Sequence, residues 1–208
     1  MDYSVAILCG GKSSRMGRDK KNLAWYGEPL ISHMLRGFPG CDDLFLAANE
    51  ETRGLPEGVR TVNDRYPDCG PLAGLHASLL SMKHDVLFAV SCDAPLIDVR
   101  TAEILRAELG GHAAAVPQTE DGRVHPLAAL YRREAFDTAA RQLRRGEYRL
   151  RDFLAEMDVV YVPGAVLPYG ALTLSNLNSP EDVRGLVSEL ERGKSQDRRL
   201  SRWLAQAL

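Results

Sequence analysis

Short apolar runs alternate along this chain with stretches of helical periodicity. Val5–Leu8 is an uninterrupted apolar run that stops at Gly10-Gly11, the pattern of a buried strand feeding a loop. Leu30, Ile31, Met34 and Leu35 recur at helical spacing and predict a helix over 29–36. Strands are predicted at 44–48, ending at Asn49, and at 59–62. Gly70-Pro71 opens a helix over 72–82. The nearly continuous apolar run over 85–90 is what a strand covered on both faces requires.

A helix over 99–109 ends at Gly110-Gly111, and strands follow at 113–116 and 127–131. A helix over 134–145 stops at Gly146, a short helix covers 150–157, and a strand covers 159–162. Residues 163–171 are rich in Pro and Gly and read as a loop. The last helix covers 180–192, with Ser179 as N-cap and Asp182 in its first turn. Such alternation predicts an α/β fold with a mainly parallel sheet and helices on both faces, whose ligands sit beyond the C-terminal strand ends.

With 208 residues, 45% of them hydrophobic, the chain can form one domain with a substantial core. Residues 1–192 are expected to be that domain, and 193–208 a basic helical tail carrying Lys194, Arg198, Arg199 and Arg202. A net charge of -2 supplies no general attraction to nucleic acid or acidic membrane. No apolar run is long enough to span a bilayer, and Met1-Asp2-Tyr3-Ser4 lacks a signal peptide's basic region, so a cytoplasmic protein is expected. Cys9, Cys41, Cys69 and Cys92 form no Cys-x-x-Cys pair and are expected to be reduced and partly buried.

Candidate chemistry begins in the loop after the first strand. Glycines let a backbone turn its N–H groups toward an anion, and Lys12, Arg15, Arg18, Lys20 and Lys21 can neutralise phosphate charge. The loop is neither a P-loop, which needs glycine where Ala6 stands, nor a dinucleotide fingerprint, whose later glycines would fall on Lys12 and Arg15. Other strand ends add Asn49, Asn63-Asp64 and Ser91-Cys92-Asp93-Ala94-Pro95. Asp93 suits Mg²⁺ held jointly with substrate phosphates, the alternative being a turn cap before Pro95. Asp68–Gly74 reads either as an anion- or base-binding turn or as a plain helix start. His125 has no orienting partner in the sequence and reads as structural or solvated. The arginines from Arg132 to Arg151 read as a solvated face, or, around Gly146, Arg149 and Arg151, as a grip on a second, phosphorylated substrate.

Leu8-Cys-Gly-Gly-Lys-Ser-Ser-Arg-Met-Gly-Arg-Asp-Lys20 resembles the signature loop of nucleotidyltransferases, and more narrowly that of molybdenum cofactor guanylyltransferases. The likeness continues through Asp64, Gly70-Pro-Leu-Ala-Gly74, Cys92-Asp-Ala-Pro95, His125-Pro126 and Asn176-Leu-Asn-Ser-Pro-Glu-Asp182. It spans about residues 3 to 190, and Cys9 stands where many relatives have alanine. This resemblance implies a Rossmann-like three-layer α/β/α sandwich of the nucleotide-diphospho-sugar transferase type. It implies transfer of GMP from Mg-GTP to the phosphate of molybdopterin, with or without molybdenum, and release of pyrophosphate.

By the same resemblance, Leu8, Cys9, Gly10, Gly11, Lys20, Asn49, Asp64, Gly74 and Asp93 would bind the nucleotide, and Asp93 would hold Mg²⁺. Arg15, Lys20 and Asp93 would carry catalysis, while Asn176, Asn178 and Arg149 would bind the pterin. Candidate partners extend to molybdenum-insertion proteins and molybdoenzyme chaperones, with neither nucleic acid nor membrane among them. The rival readings are a cytidylyltransferase acting on the same pterin and a non-catalytic carrier of a nucleotide-pterin cofactor.

Overall fold

The computed structural model describes residues 1–9, 24–48 and 55–194. Its centre is a seven-stranded sheet. In chain order the strands and helices are β1 (Ser4–Leu8), β2 (Ala24–Trp25), β3 (Glu28–Pro29), α1 (Leu30–Arg36), β4 (Leu44–Ala47), β5 (Arg60–Val62) and α2 (Pro71–Ser81). They continue with β6 (Val86–Ser91), α3 (Val99–Glu108), β7 (Ala114–Gln118), β8 (Ala128–Arg132), α4 (Ala135–Arg145) and α5 (Leu150–Ala155). Last come β9 (Val159–Pro163), β10 (Pro168–Ala171) and α6 (Pro180–Lys194), with short 3₁₀ turns at Gly164–Val166 and Leu172–Leu174.

The sheet order is β5-β4-β1-β6-β8-β7-β9. β1 pairs in parallel with β4 on one side and β6 on the other, so the chain reverses its direction of winding at β1. Such a switch opens a crevice at the C-terminal strand ends. Strand alternation divides the core into two layers. Val5 and Ile7 of β1 and Val86, Phe88 and Val90 of β6 face a cluster with Leu30, Met34, Leu105 and Leu190, from α1, α3 and α6. Ala6 and Leu8, with Leu87 and Ala89, face the opposite cluster with Leu72, Leu75, Ala139 and Phe153, from α2, α4 and α5. Both sheet faces are covered, hence the near-continuous apolar strands.

One central strand departs from the parallel pattern: β8 runs antiparallel to both β6 and β7. The β7–β8 connection is a tight turn in which Gly122 N–H donates to the Thr119 carbonyl and Thr119 N–H to the Arg123 carbonyl, each at 2.9 Å. It is too short for the helical crossover that parallel neighbours need. The small hairpin β2–β3 was not predicted. Its turn residues Tyr26 and Gly27 have φ of 48° and 84°, both positive as a type I′ turn demands. Tyr26 lacks the Asn or Asp that flags such turns. The stretch 163–171, read as loop, contains β10. The expected cap of α6 is present: Ser179 Oγ accepts from Asp182 N–H at 3.1 Å, and Asp182 Oδ2 accepts from Ser179 N–H at 2.9 Å.

All four cysteines are free thiols. Among the described residues no helix is long and apolar enough to cross a membrane.

Candidate active site

Register brings the ends of four strands together. Leu8 is paired with Ala47 and with Ser91, and Ala47 with Val62. Hydrogen bonds carry the alignment past the strands: Cys9 N–H to the Ala47 carbonyl at 2.8 Å, Ala48 N–H to the Val62 carbonyl at 3.0 Å, and Cys92 N–H to the Leu8 carbonyl at 3.0 Å. Leu8, Cys9, Asp64 and Asp93, nominated from the sequence, therefore stand on one edge of the sheet.

Gly74 sits in the first turns of α2 and closes this edge from one side. A β-carbon there would lie 3.3 Å from Leu8 Cδ2 and 3.4 Å from Asp64 Oδ1. Glycine lets the helix approach the β1 end this closely without displacing Leu8. Gly70, before the helix, has φ 69° and ψ -161°, a region that is essentially glycine-only. Pro71 then occupies the first helical position, where its missing N–H costs nothing. The segment Asp68–Gly74 is thus a shaped turn whose helix start faces the β1 end.

Asp93 is buried, 7% exposed. Ser91 Oγ donates to its Oδ1 at 2.6 Å. The surrounding loop is pinned from three elements. His33 of α1 donates through Nε2 to the Pro95 carbonyl at 2.8 Å, and Ala94 N–H reaches the Ser91 carbonyl at 3.3 Å. Most telling, Leu177 N–H donates to the Asp93 carbonyl at 2.7 Å. Leu177 is buried while Asn176 and Asn178 are exposed on either side of it. A backbone bond thereby fixes the asparagine pair against the candidate metal aspartate. Asn178 N–H in turn donates to Asp182 Oδ2 at 2.7 Å, so α6 braces the same segment. Neither Ser91, His33 nor Leu177 was nominated from the sequence. A backbone N–H leaves no trace in residue type; Ser91 and Leu177 lay inside segments already singled out, His33 did not.

Ser91, the hydrogen-bond partner of Asp93, also lines a cavity of about 190 Å³, walled further by Arg123, His125, Leu150, Leu174 and Asn176 among others. Arg149 is exposed at the start of α5, where its carbonyl accepts from Asp152 N–H at 3.1 Å. It does not line the cavity, although Leu150, next in the chain, does. Much of the basic stretch read as a solvated face or a substrate grip is tied down locally. Arg133 pairs with Asp85, Arg141 and Arg145 with Glu156, and Arg132 donates to the His112 and Gly110 carbonyls. His125 is held below the ordinary histidine pKa by burial, reinforced by the nearby Arg123 charge and opposed by Asp121.

Gly10, Gly11, Arg15, Lys20 and Asn49 lie outside the described residues. For the metal, the donor set at Asp93 is a hard carboxylate on a rigid strand end, which fits Mg²⁺. Among the described residues no three His, Cys, Asp or Glu side chains gather into a cage. An ion at Asp93 would therefore complete its shell with substrate phosphates and water.

A switch point in a mostly parallel sheet, bordered by a glycine-shaped helix start and a buried aspartate just past a strand end, is where α/β enzymes bind their ligands. Residues 5–160 match the MobA-like NTP transferase domain, and the chain belongs to that family. A molybdenum cofactor guanylyltransferase of Pseudomonas putida is 34% identical over 186 residues, covering 87% of this chain and 95% of that protein. The fold is shared with the crystal structure of molybdopterin-guanine dinucleotide biosynthesis protein A from Archaeoglobus fulgidus, at TM-score 0.77 and 23% identity over 91% of this chain and 99% of that one. It is also shared, at TM-score 0.64 and 19% identity over 89% and 97%, with 2-C-methyl-D-erythritol 4-phosphate cytidylyltransferase from Thermus thermophilus. The expected sandwich of the nucleotide-diphospho-sugar transferase type is therefore the fold of this protein.

Proposed function

We propose that this nucleotidyltransferase moves GMP from Mg-GTP to the phosphate of molybdopterin, free or carrying molybdenum, and releases pyrophosphate. The observation that carries the reading is the 2.7 Å bond from Leu177 N–H to the Asp93 carbonyl, which holds Asn176 and Asn178 beside Asp93. The P. putida relative supports the choice of substrates.

In the reaction, an oxygen of the acceptor phosphate attacks the α-phosphorus of GTP. The bond from that phosphorus to the bridging oxygen breaks, and the electron pair leaves with pyrophosphate. The nucleophile is already anionic, so no strong general base is required. The barrier lies in bringing two anions together, which positioning and preorganised charge must lower. Leu8, Cys9, Gly10, Gly11 and Asn49 are assigned to nucleotide contacts at the β1 and β4 ends, with Asp64 and Gly74 closing the same edge. Arg15 and Lys20 are assigned to the triphosphate, where their cations stabilise the departing pyrophosphate. Asp93 would hold Mg²⁺, which when bound supplies charge neutralisation across the phosphates. Ser91 keeps the Asp93 carboxylate oriented through its 2.6 Å hydrogen bond. Asn176 and Asn178 are assigned to the pterin, with Arg149 at the margin. Residues 1–192 act as the transferase domain, residues 193–208 as an appended basic tail, and the setting is the cytoplasm.

The direct test is incubation with Mg-GTP and molybdopterin, with CTP in parallel, followed by mass analysis of the dinucleotide. A guanine dinucleotide together with pyrophosphate is expected. Asp93→Ala is expected to cut turnover at least about 100-fold without shifting the wild-type circular dichroism spectrum. Near-normal pyrophosphate release by that folded variant, or a product made from CTP alone, would refute the assignment.

A further inference from the structure

The cavity lined by Ser91 has an unusual charge make-up. Among the described residues no carboxylate lines it, and Arg123 and His125 are the basic side chains of its wall. Burial and the Arg123 charge disfavour protonation of His125, against a smaller opposing pull from Asp121. The His125 Nε2 is buried with no partner among the described residues. Arg123 is the permanent cation among the described wall residues. Its guanidinium is in no ion pair among the described residues, whereas Arg133, Arg141 and Arg145 nearby all are.

Arg123 is presented by a built turn. Its backbone N–H donates to Asp121 Oδ1 at 3.2 Å, and its carbonyl accepts from Thr119 N–H at 2.9 Å and Thr119 Oγ1 at 3.1 Å. Thr119 Oγ1 also donates to Asp121 Oδ1. The turn is held by backbone, threonine and aspartate; among the described residues no hydrogen bond takes the arginine head, whose charge acts on Asp121. Asn176 and Ser91 line the same cavity, and Ser91 is one hydrogen bond from Asp93.

We propose that Arg123 binds the phosphate of the acceptor substrate, presenting the nucleophilic oxygen toward the nucleotide held at Asp93. The proposal rests on the function argued above, and it moves the acceptor-phosphate contact from Arg149, outside the cavity, to Arg123, within its wall. A planar guanidinium can take two phosphate oxygens and leave the third for attack, which an ammonium cannot match.

The test uses the full chain and the variants Arg123→Ala and Arg123→Lys. Two quantities are measured: equilibrium binding of molybdopterin by its fluorescence, and KM for each substrate. Arg123→Ala is expected to weaken molybdopterin binding and raise its KM by about 10- to 100-fold, the loss of one charge-assisted phosphate contact. KM for GTP should stay within about twofold, and Arg123→Lys should recover only part of the loss. The ionic-strength dependence of molybdopterin binding should also flatten in Arg123→Ala. Acceptor binding within about twofold of wild type, or an equal loss toward GTP, would overturn the inference. A wild type that binds molybdopterin but makes no dinucleotide would instead overturn the function, while the binding comparison still decides Arg123.

Discussion

Gly74→Ala sets two predictable effects against each other. Gly74 lies inside α2, where alanine is favoured over glycine by about 1 kcal/mol. The added β-carbon, however, would lie 3.3 Å from Leu8 Cδ2, closer than packed carbons ordinarily sit, and 3.4 Å from Asp64 Oδ1, at ordinary contact. Inserting a methyl group into a tight contact costs about 1–3 kcal/mol. The net change is therefore between neutral and about 2 kcal/mol destabilising, and at about 2–4 °C per kcal/mol for a chain of this size Tm should fall by no more than about 8 °C. The functional effect should be the larger one. Relief of the contact requires Leu8 to retreat by a few tenths of an ångström, and Leu8 borders the proposed nucleotide site. Since a misplacement of about 1 Å can cost about 100-fold, KM for GTP should rise roughly tenfold, with KM for molybdopterin little changed. Steady-state kinetics and thermal melting on the same preparation check both halves. A variant that melts 2–4 °C higher than wild type with an unaltered KM for GTP would show that Leu8 rotates away freely and that Gly74 does not shape the nucleotide site.

Gly70→Ala has open space for its methyl group but the wrong backbone, at φ 69° and ψ -161°. It should lose about 1–3 kcal/mol in denaturant unfolding, and wild-type stability would refute the turn as described. His76 stacks on Phe136 at 4.7 Å between ring centroids, and Tyr66 meets it edge-on at 5.2 Å. Burial, aided by Arg65 and Arg144, holds its pKa below the ordinary histidine value. The unfolded chain then binds more protons, so stability should rise with pH from the lowered pKa up to about 6.5. His76→Phe should flatten part of that slope in melts across the range, His33 and His125 supplying the remainder because they are shifted the same way. Asp43 is 6% exposed. Burial raises its pKa, but hydrogen bonds from Ser4, the Lys83 backbone and Arg60 outweigh that and hold it below the ordinary aspartate value. Its contribution should be present above about pH 4 and vanish as pH falls through the lowered pKa. Asp43→Ala should cost about 3–5 kcal/mol in urea unfolding by stripping the partners of Ser4 and Arg60, and a loss under 1 kcal/mol would count against the network.

Much of this architecture was legible along the chain because it is written in periodicity. Apolar runs of strand length, helical spacing and the punctuation at Gly10, Gly70, Gly146 and Ser179 set the elements, their order and the α/β class. Residue types at strand ends also singled out Asp64 and Asp93, and the family resemblance added Leu8 and Cys9; parallel strands deliver their C-terminal ends to one edge whatever fills the core. The reversal of β8 was half-visible: Asp121-Gly122 marks a turn, and a turn that short forbids a parallel return.

Tertiary structure decided the rest. The bond from Leu177 to Asp93 joins positions far apart in the chain through backbone atoms that every residue carries, so no side-chain pattern could announce it. The close approach of Gly74 to Leu8 and Asp64 depends on how α2 sits on the sheet. Arg123 and Arg149 look alike as letters. Only the folding of the β7–β8 turn over the Ser91-lined cavity separates an arginine in its wall from one outside it, because charge acts through distance and surroundings, and sequence records neither.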